Sequence, residues 1–228
     1  MNLKISALVL FILGSCEQHN PPPIPPQPPA LPSSYDFSLD PVQWQFSFSP
    51  GMPRNPREGL EFDFPQGPDT AAAPSVHYLT RASPGSPTGQ KLIIDWEVSE
   101  VGTVVYNGAL GDVANNCGPP AYFSLYLQRR GDDLKGTPGT TEFYRWFARI
   151  ATLRPGLGSA VVSLNGEGWV GVLGKSGKDY PAQFAATLAS LDRVGLTFGW
   201  GCFSGHGVNV QTGTGSSVFR IKRLATGD

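Results

Sequence analysis

Along most of this chain apolar side chains fall at every second position. Val42, Trp44, Phe46 and Phe48 alternate with Gln43, Gln45 and Ser47, the period of a strand with one face buried and one face wet. The same pattern predicts strands over residues 60–64, 76–80, 91–98, 122–128, 143–150, 160–164, 195–198 and 218–224. Between them lie turn-forming clusters such as Ser83-Pro84-Gly85-Ser86-Pro87 and Gly136-Thr137-Pro138-Gly139. A helical pattern occurs once, over residues 181–191, with Pro181 at its start and Gly195 beyond its end. No internal repeat of fixed period interrupts the series. Many short strands and one short helix predict an all-β chain folded as an antiparallel β-sandwich of jelly-roll, concanavalin-like type.

The first 34 residues break this rhythm. Lys4 precedes an apolar run from Ile5 to Leu13, about half the length that spans a bilayer as a permanent helix. Leu13-Gly14-Ser15-Cys16 follows, and it resembles the lipobox of bacterial lipoproteins. The resemblance implies cleavage before Cys16, diacylglycerol on its thiol and acylation of the freed amine. Each buried methylene contributes about 0.8 kcal/mol and one chain anchors only marginally, so two or three chains make a stable tether. Glu17, in place of Asp, matches the pattern that sorts such proteins to the outer membrane of a cell with two membranes. An ordinary secretory signal with a chance cysteine is the alternative. Residues 20–32 are mostly proline, which favours a polyproline II stalk on the order of 40 Å long; a ligand for an SH3-like groove is the other use of such a segment. The expected organisation is a signal peptide at 1–15, a lipidated cysteine and tether at 16–34, and a sandwich at 35–228.

Composition narrows the function. Twenty-eight Gly and 22 Pro suit turns between strands, and 228 residues with 40% hydrophobic content can bury one core. A net charge of −1 leaves no electrostatic footprint for nucleic acid. With Cys16 given to lipid, Cys117 and Cys202 remain in an oxidising compartment, where a disulfide between them is favoured over two buried thiols.

Two glycine-rich segments imitate nucleotide motifs and fail them. Gly171-Val172-Leu173-Gly174-Lys175-Ser176 ends like a phosphate-binding loop, but Trp169 stands where the first glycine is needed. The Gly199–Gly207 stretch lacks the three-glycine spacing of a dinucleotide site, and close backbone approach or bulges near a sheet corner account for it better. His206 within it is a weak general-base candidate. With three histidines in all, neither a zinc site nor a triad can be assembled. No cofactor, metal or nucleotide is expected.

Two patches carry candidate chemistry. In Asp95-Trp96-Glu97-Val98-Ser99-Glu100, Asp95 and Glu97 share a strand face, and a bulge would bring Glu100 beside them. The order resembles the strand motif of family 16 jelly-roll glycosidases with its first two acids exchanged; that resemblance implies a retaining carboxylate pair, with Glu97 and Glu100 the residues to test. A solvated strand face is the plainer reading. Tyr122 and Tyr126 lie on one face with Ser124 and Gln128, while Tyr144 and Trp146 repeat a mixed face opposite Arg145 and Arg149. Such faces stack sugar rings, although half-exposed aromatics also serve as plain core or rim. The last hundred residues resemble, in pattern, lectin-like carbohydrate-binding jelly rolls. The expected function is a membrane-tethered, extracytoplasmic binding module with a glycan or an envelope protein as partner. The alternatives are a jelly-roll glycoside hydrolase and an envelope scaffold.

Overall fold

The computed structural model describes residues 28–68, 73–87, 90–108, 118–202 and 204–227. The signal segment, Cys16, most of the proline stalk and Cys117 lie outside the described residues, and with them the lipidation and disulfide expectations.

The chain begins with β1 (Tyr35–Asp36), a 3-10 turn at Pro41–Gln43, β2 (Trp44–Ser47), β3 (Glu61–Asp63), β4 (Gln66–Gly67) and β5 (Tyr78–Ala82). Next come β6 (Lys91–Val101), β7 (Tyr106–Gly108), β8 (Ala121–Arg129), β9 (Arg145–Thr152), β10 (Gly156–Ser163) and β11 (Val170–Gly171). Helix α1 (Pro181–Ala189) precedes β12 (Leu191–Trp200), β13 (Val208–Gln211) and β14 (Ser216–Gly227). One sheet runs β1-β14-β6-β10, with β3 also paired to β14; the other runs β11-β9-β8-β12-β5-β2. A small third sheet, β4-β13-β7, contains the one parallel pairing between named strands among the described residues, β4 with β13. The antiparallel all-β sandwich with a short helix, expected from alternation and turns, is what the chain forms.

The core lies between the two large sheets. Strand β6 turns Leu92, Ile94 and Val98 inward, and β12 and β14 answer with Leu196, Phe198, Phe219 and Ile221. Phe219 stacks on Phe62 with centroids 5.7 Å apart and meets Phe123 and Phe198 edge-on at 5.1 and 5.3 Å, the arrangements that aromatic quadrupoles favour. Three fully buried tryptophans keep their indole N–H groups satisfied. Trp44 donates to the Ser38 carbonyl at 2.8 Å, Trp146 to the Phe143 carbonyl at 2.9 Å and Trp169 to the Ser163 carbonyl at 2.9 Å. Helix α1 buries Phe184, Thr187 and Leu188, and Phe184 packs against both Trp146 and Trp169.

Two local expectations shift. The apolar alternation from Val42 to Phe48 is a strand only at Trp44–Ser47. Asp40 accepts the Val42 N–H at 3.1 Å and, with Pro41, starts a 3-10 turn instead, which leaves Val42 exposed. Phe48 swings out at φ +52 and is 62% exposed. The proline segment also docks before residue 35. Leu31 N–H donates to the Ser86 carbonyl and Ser86 N–H to the Pro29 carbonyl, both at 2.8 Å, and Leu31 packs on the core.

Candidate functional site

The outer face of the six-stranded sheet, away from the core, holds the residues that matter. Strand register places them in cross-strand rows. Arg149, Ser124, Thr197, Tyr78 and Ser47 form one row, and Phe147, Tyr126, Gly195, Thr80 and Gln45 form the next. Gly195 is required in the second row, because a Cβ there would lie 2.3 Å from the Leu79 carbonyl oxygen. Over this face lie three adjoining cavities of about 720, 670 and 160 Å³, and the two larger ones are of a size that holds a small ligand. Tyr78 borders all three, and Arg145 and His206 border the two larger, so they read as one cleft. Its walls are loops: Phe48–Pro50 after β2, Leu134 between β8 and β9, the β11 turn, and Ser204–His206 between β12 and β13.

Arg145 sits at the centre. Its Nε lies 3.0 Å from Asp132 Oδ2, with side-chain exposures of 8% and 0%. Asp132 also accepts from Gln128 Nε2 at 2.9 Å and from the Leu134 N–H at 3.1 Å. Neither Nε nor Nη2 of Arg145 finds an aligned acceptor within the protein. Burial pushes the Tyr78 hydroxyl above the ordinary tyrosine range and the guanidinium of Arg145 pulls it partly back, so it stays protonated and can donate.

His77 fixes the far wall. Its Nδ1 lies 2.9 Å from the Gly205 carbonyl and its Nε2 2.8 Å from Ser75 Oγ. A carbonyl can only accept, so Nδ1 carries the proton and Nε2 takes the Ser75 hydroxyl hydrogen. Burial, opposed by the Gly205 bond, holds the His77 pKa below its usual value and keeps the ring neutral. The expected close backbone approach in the 199–207 segment is present here. Gly205 and Gly207 have φ of +80 and +89, and a Cβ would fall 2.2 Å from the Tyr78 hydroxyl oxygen and 2.4 Å from His77 Nε2 respectively.

The sequence candidates distribute unevenly. Tyr122 and Tyr126 do share the outer face, opposite Phe123, Leu125 and Leu127 in the core, but they form its floor. Tyr122 is covered by Arg149, whose Cζ lies 3.5 Å from the ring centroid, and Tyr126 packs beneath Tyr78 at 5.1 Å. Trp146 points to the opposite face and is core, because β9 turns Arg145, Phe147 and Arg149 outward. Tyr144 precedes the strand under Arg129 and borders none of the three cavities. The acids do not converge. Strand β6 pairs with β10 and β14 without a bulge of its own, so Glu100 faces the opposite side from Asp95 and Glu97. Glu97 pairs with Arg220 at 3.2 Å and Lys222 at 3.6 Å, whereas Glu100 accepts from Tyr106 at 2.9 Å. All three belong to the other sheet and none borders the cleft. The 171–176 segment is a turn after β11, with Gly174 N–H donating to the Gly171 carbonyl and Lys175 paired to Glu142 at 3.1 Å. Cys202 and His206 border the second cavity. Among the described residues, no group of three His, Cys, Asp or Glu side chains could hold a metal.

Sequence reasoning missed Tyr78, His77, Asp132 and Arg193 as site residues. Tyr78 and Thr80 alternate with Leu79, which is a signal; Arg193 lies in β12 beside a register shift, and Asp132 and His77 lie outside the strands, at positions that pattern does not encode. Comparison with family models, curated proteins and solved structures finds no match for this chain.

Proposed function

We propose that this protein is a lipid-anchored, extracytoplasmic binding module whose cleft on the six-stranded sheet takes a glycan. The observation that carries this reading is the cleft itself. Tyr78 and the exposed Phe48 offer rings at its mouth, with centroids 6.3 Å apart, and Thr80, Gln128, Arg193 and Ser204 offer hydrogen-bonding groups beside them. A large, mostly apolar concavity with a few convergent polar groups is the form that small-molecule and sugar sites take. Attachment through Cys16, display at an outer membrane and a Cys117–Cys202 disulfide belong to the same proposal, on the sequence grounds given above. The strand order β3-β14-β6-β10 facing β5-β12-β8-β9 supports a jelly roll. Glycoside hydrolysis by Asp95, Glu97 and Glu100 is not proposed, since they lie on two faces of the other sheet.

The test is glycan-array binding by the full-length chain in detergent, followed by titration of the best hit. Tyr78→Ala should weaken that hit by about tenfold or more through loss of the stacking ring, while Glu97→Gln leaves it unchanged. Binding to no glycan, with one protein partner recovered by crosslinking, would replace this reading with an envelope scaffold.

A further inference from the structure

The cleft is positively charged in a chain that is not. Arg145, Arg149 and Arg193 border it, together with His77 and His206, and among the described residues no Asp or Glu does. Asp132 reaches it only from beneath, where Arg145 Nε, Gln128 and the Leu134 N–H surround its carboxylate. Three guanidinium groups against the one Asp132 carboxylate leave a net charge of about +2 at the site before either histidine is counted, against −1 for the whole chain. Arg193 is held flat on the sheet, with Nε donating to Thr80 Oγ1 at 2.8 Å, and Arg149 is held by the Gly201 carbonyl at 2.6 Å. These charges are therefore fixed in position, as a recognition site requires.

Arg145 adds the second observation. Its side chain is more than nine-tenths buried and borders both larger cavities; Nε faces Asp132, but Nη2 has no aligned acceptor in the protein. Buried polar groups without partners are rare, and one that fronts a cavity points to an acceptor supplied from outside. A neutral sugar hydroxyl would satisfy a donor but would leave the excess positive charge unanswered.

Resting on the glycan reading, we infer that the ligand is an acidic glycan, a sugar chain bearing carboxylate or sulfate, with its anionic group at Arg145 and its neighbouring rings along Tyr78 and Phe48. The site selects charge at its centre and ring stacking at its mouth.

The experiment titrates the full-length protein in detergent with four probes at low and high salt: an oligogalacturonate, the same oligomer with its carboxyl groups reduced to alcohols, a sulfated oligosaccharide, and inorganic sulfate alone. At least one of the two acidic oligosaccharides should bind about tenfold or more tightly than the reduced one, and its affinity should fall with salt. Which of the two wins assigns carboxylate or sulfate. Arg145→Gln should remove most of that preference; should it fail to fold, Arg149→Gln, at an exposed position, should still lower the preference for the acidic oligomer over the reduced one. If the reduced oligomer binds as well as its parent, the inference of charge selection falls while the glycan reading stands. If inorganic sulfate binds as tightly as the oligosaccharides, the cleft is an anion site and not a glycan site. If no probe binds and the array is also blank, both readings fall.

Discussion

Replacing Asp132 by Ala tests whether the ion pair under the cleft organises it. The Asp132 carboxylate is fully enclosed, faces Arg145 Nε at 3.0 Å and accepts from Gln128 and the Leu134 N–H. Removing it strands a mostly buried guanidinium, and breaking a buried pair from one side costs about 3–5 kcal/mol. Because Arg145 borders cavities that water can enter, the lower end applies, about 3 kcal/mol, with the two lost hydrogen bonds included. The double variant Asp132→Ala/Arg145→Met removes the stranded charge and should recover about 1–2 kcal/mol of that loss. Urea unfolding followed by tryptophan fluorescence reads both, since Trp146 neighbours Arg145 in the same strand. A loss below about 1 kcal/mol for Asp132→Ala, or additive costs in the double variant, would refute the argument. The exposed pair between Arg57 and Asp63 is the internal control, where Asp63→Ala should cost no more than about 1 kcal/mol.

Two further predictions concern the walls of the cleft. Gly205→Ala forces a Cβ to 2.2 Å from the Tyr78 hydroxyl oxygen at φ +80, so it should displace that ring and lower both stability and ligand binding; a thermal melt within one degree of wild type would contradict it. The depressed pKa of His77 makes stability acid-sensitive. The unfolded chain takes up that proton first as pH falls through about 6.5, so the contribution is fully present above that value and is lost below it, at up to about 1.4 kcal/mol per pH unit. His77→Asn should flatten this part of a stability–pH profile, and an unchanged slope would exclude His77 as its source.

The two-residue period made the sandwich legible because a strand with one buried face writes its orientation directly into the sequence. It worked for β6, where Leu92, Ile94 and Val98 are core, and for β8, where Phe123, Leu125 and Leu127 are core. It left the other face of β8 undecided. Tyr122, Ser124 and Tyr126 read either as a sugar-stacking face or as plain core or rim; they are buried because loops fold back over the sheet, and loop paths leave no periodic trace. The acidic cluster failed for a related reason. Its convergence required a bulge in β6, and bulges follow from strand pairing rather than from spacing; the register shift falls on β14 instead, between Ile221 and Arg223. Trp146 is core because Arg145 begins β9 on the cleft side, where it pairs with Asp132 of the preceding loop. His77 and Gly205 meet across 128 positions of sequence, beyond the reach of any local pattern.

The proposed ligand surface is the outer face of the six-stranded sheet. Hydrogen–deuterium exchange of the full-length protein, with and without its best acidic oligosaccharide, tests that surface most directly. Slower exchange should appear in the β2–β3 loop around Phe48, at His77–Tyr78, in the 132–145 segment and at Ser204–His206, with β6 and β14 unchanged. Protection centred on β6, β10 and β14, around Asp95 and Glu97, would contradict it.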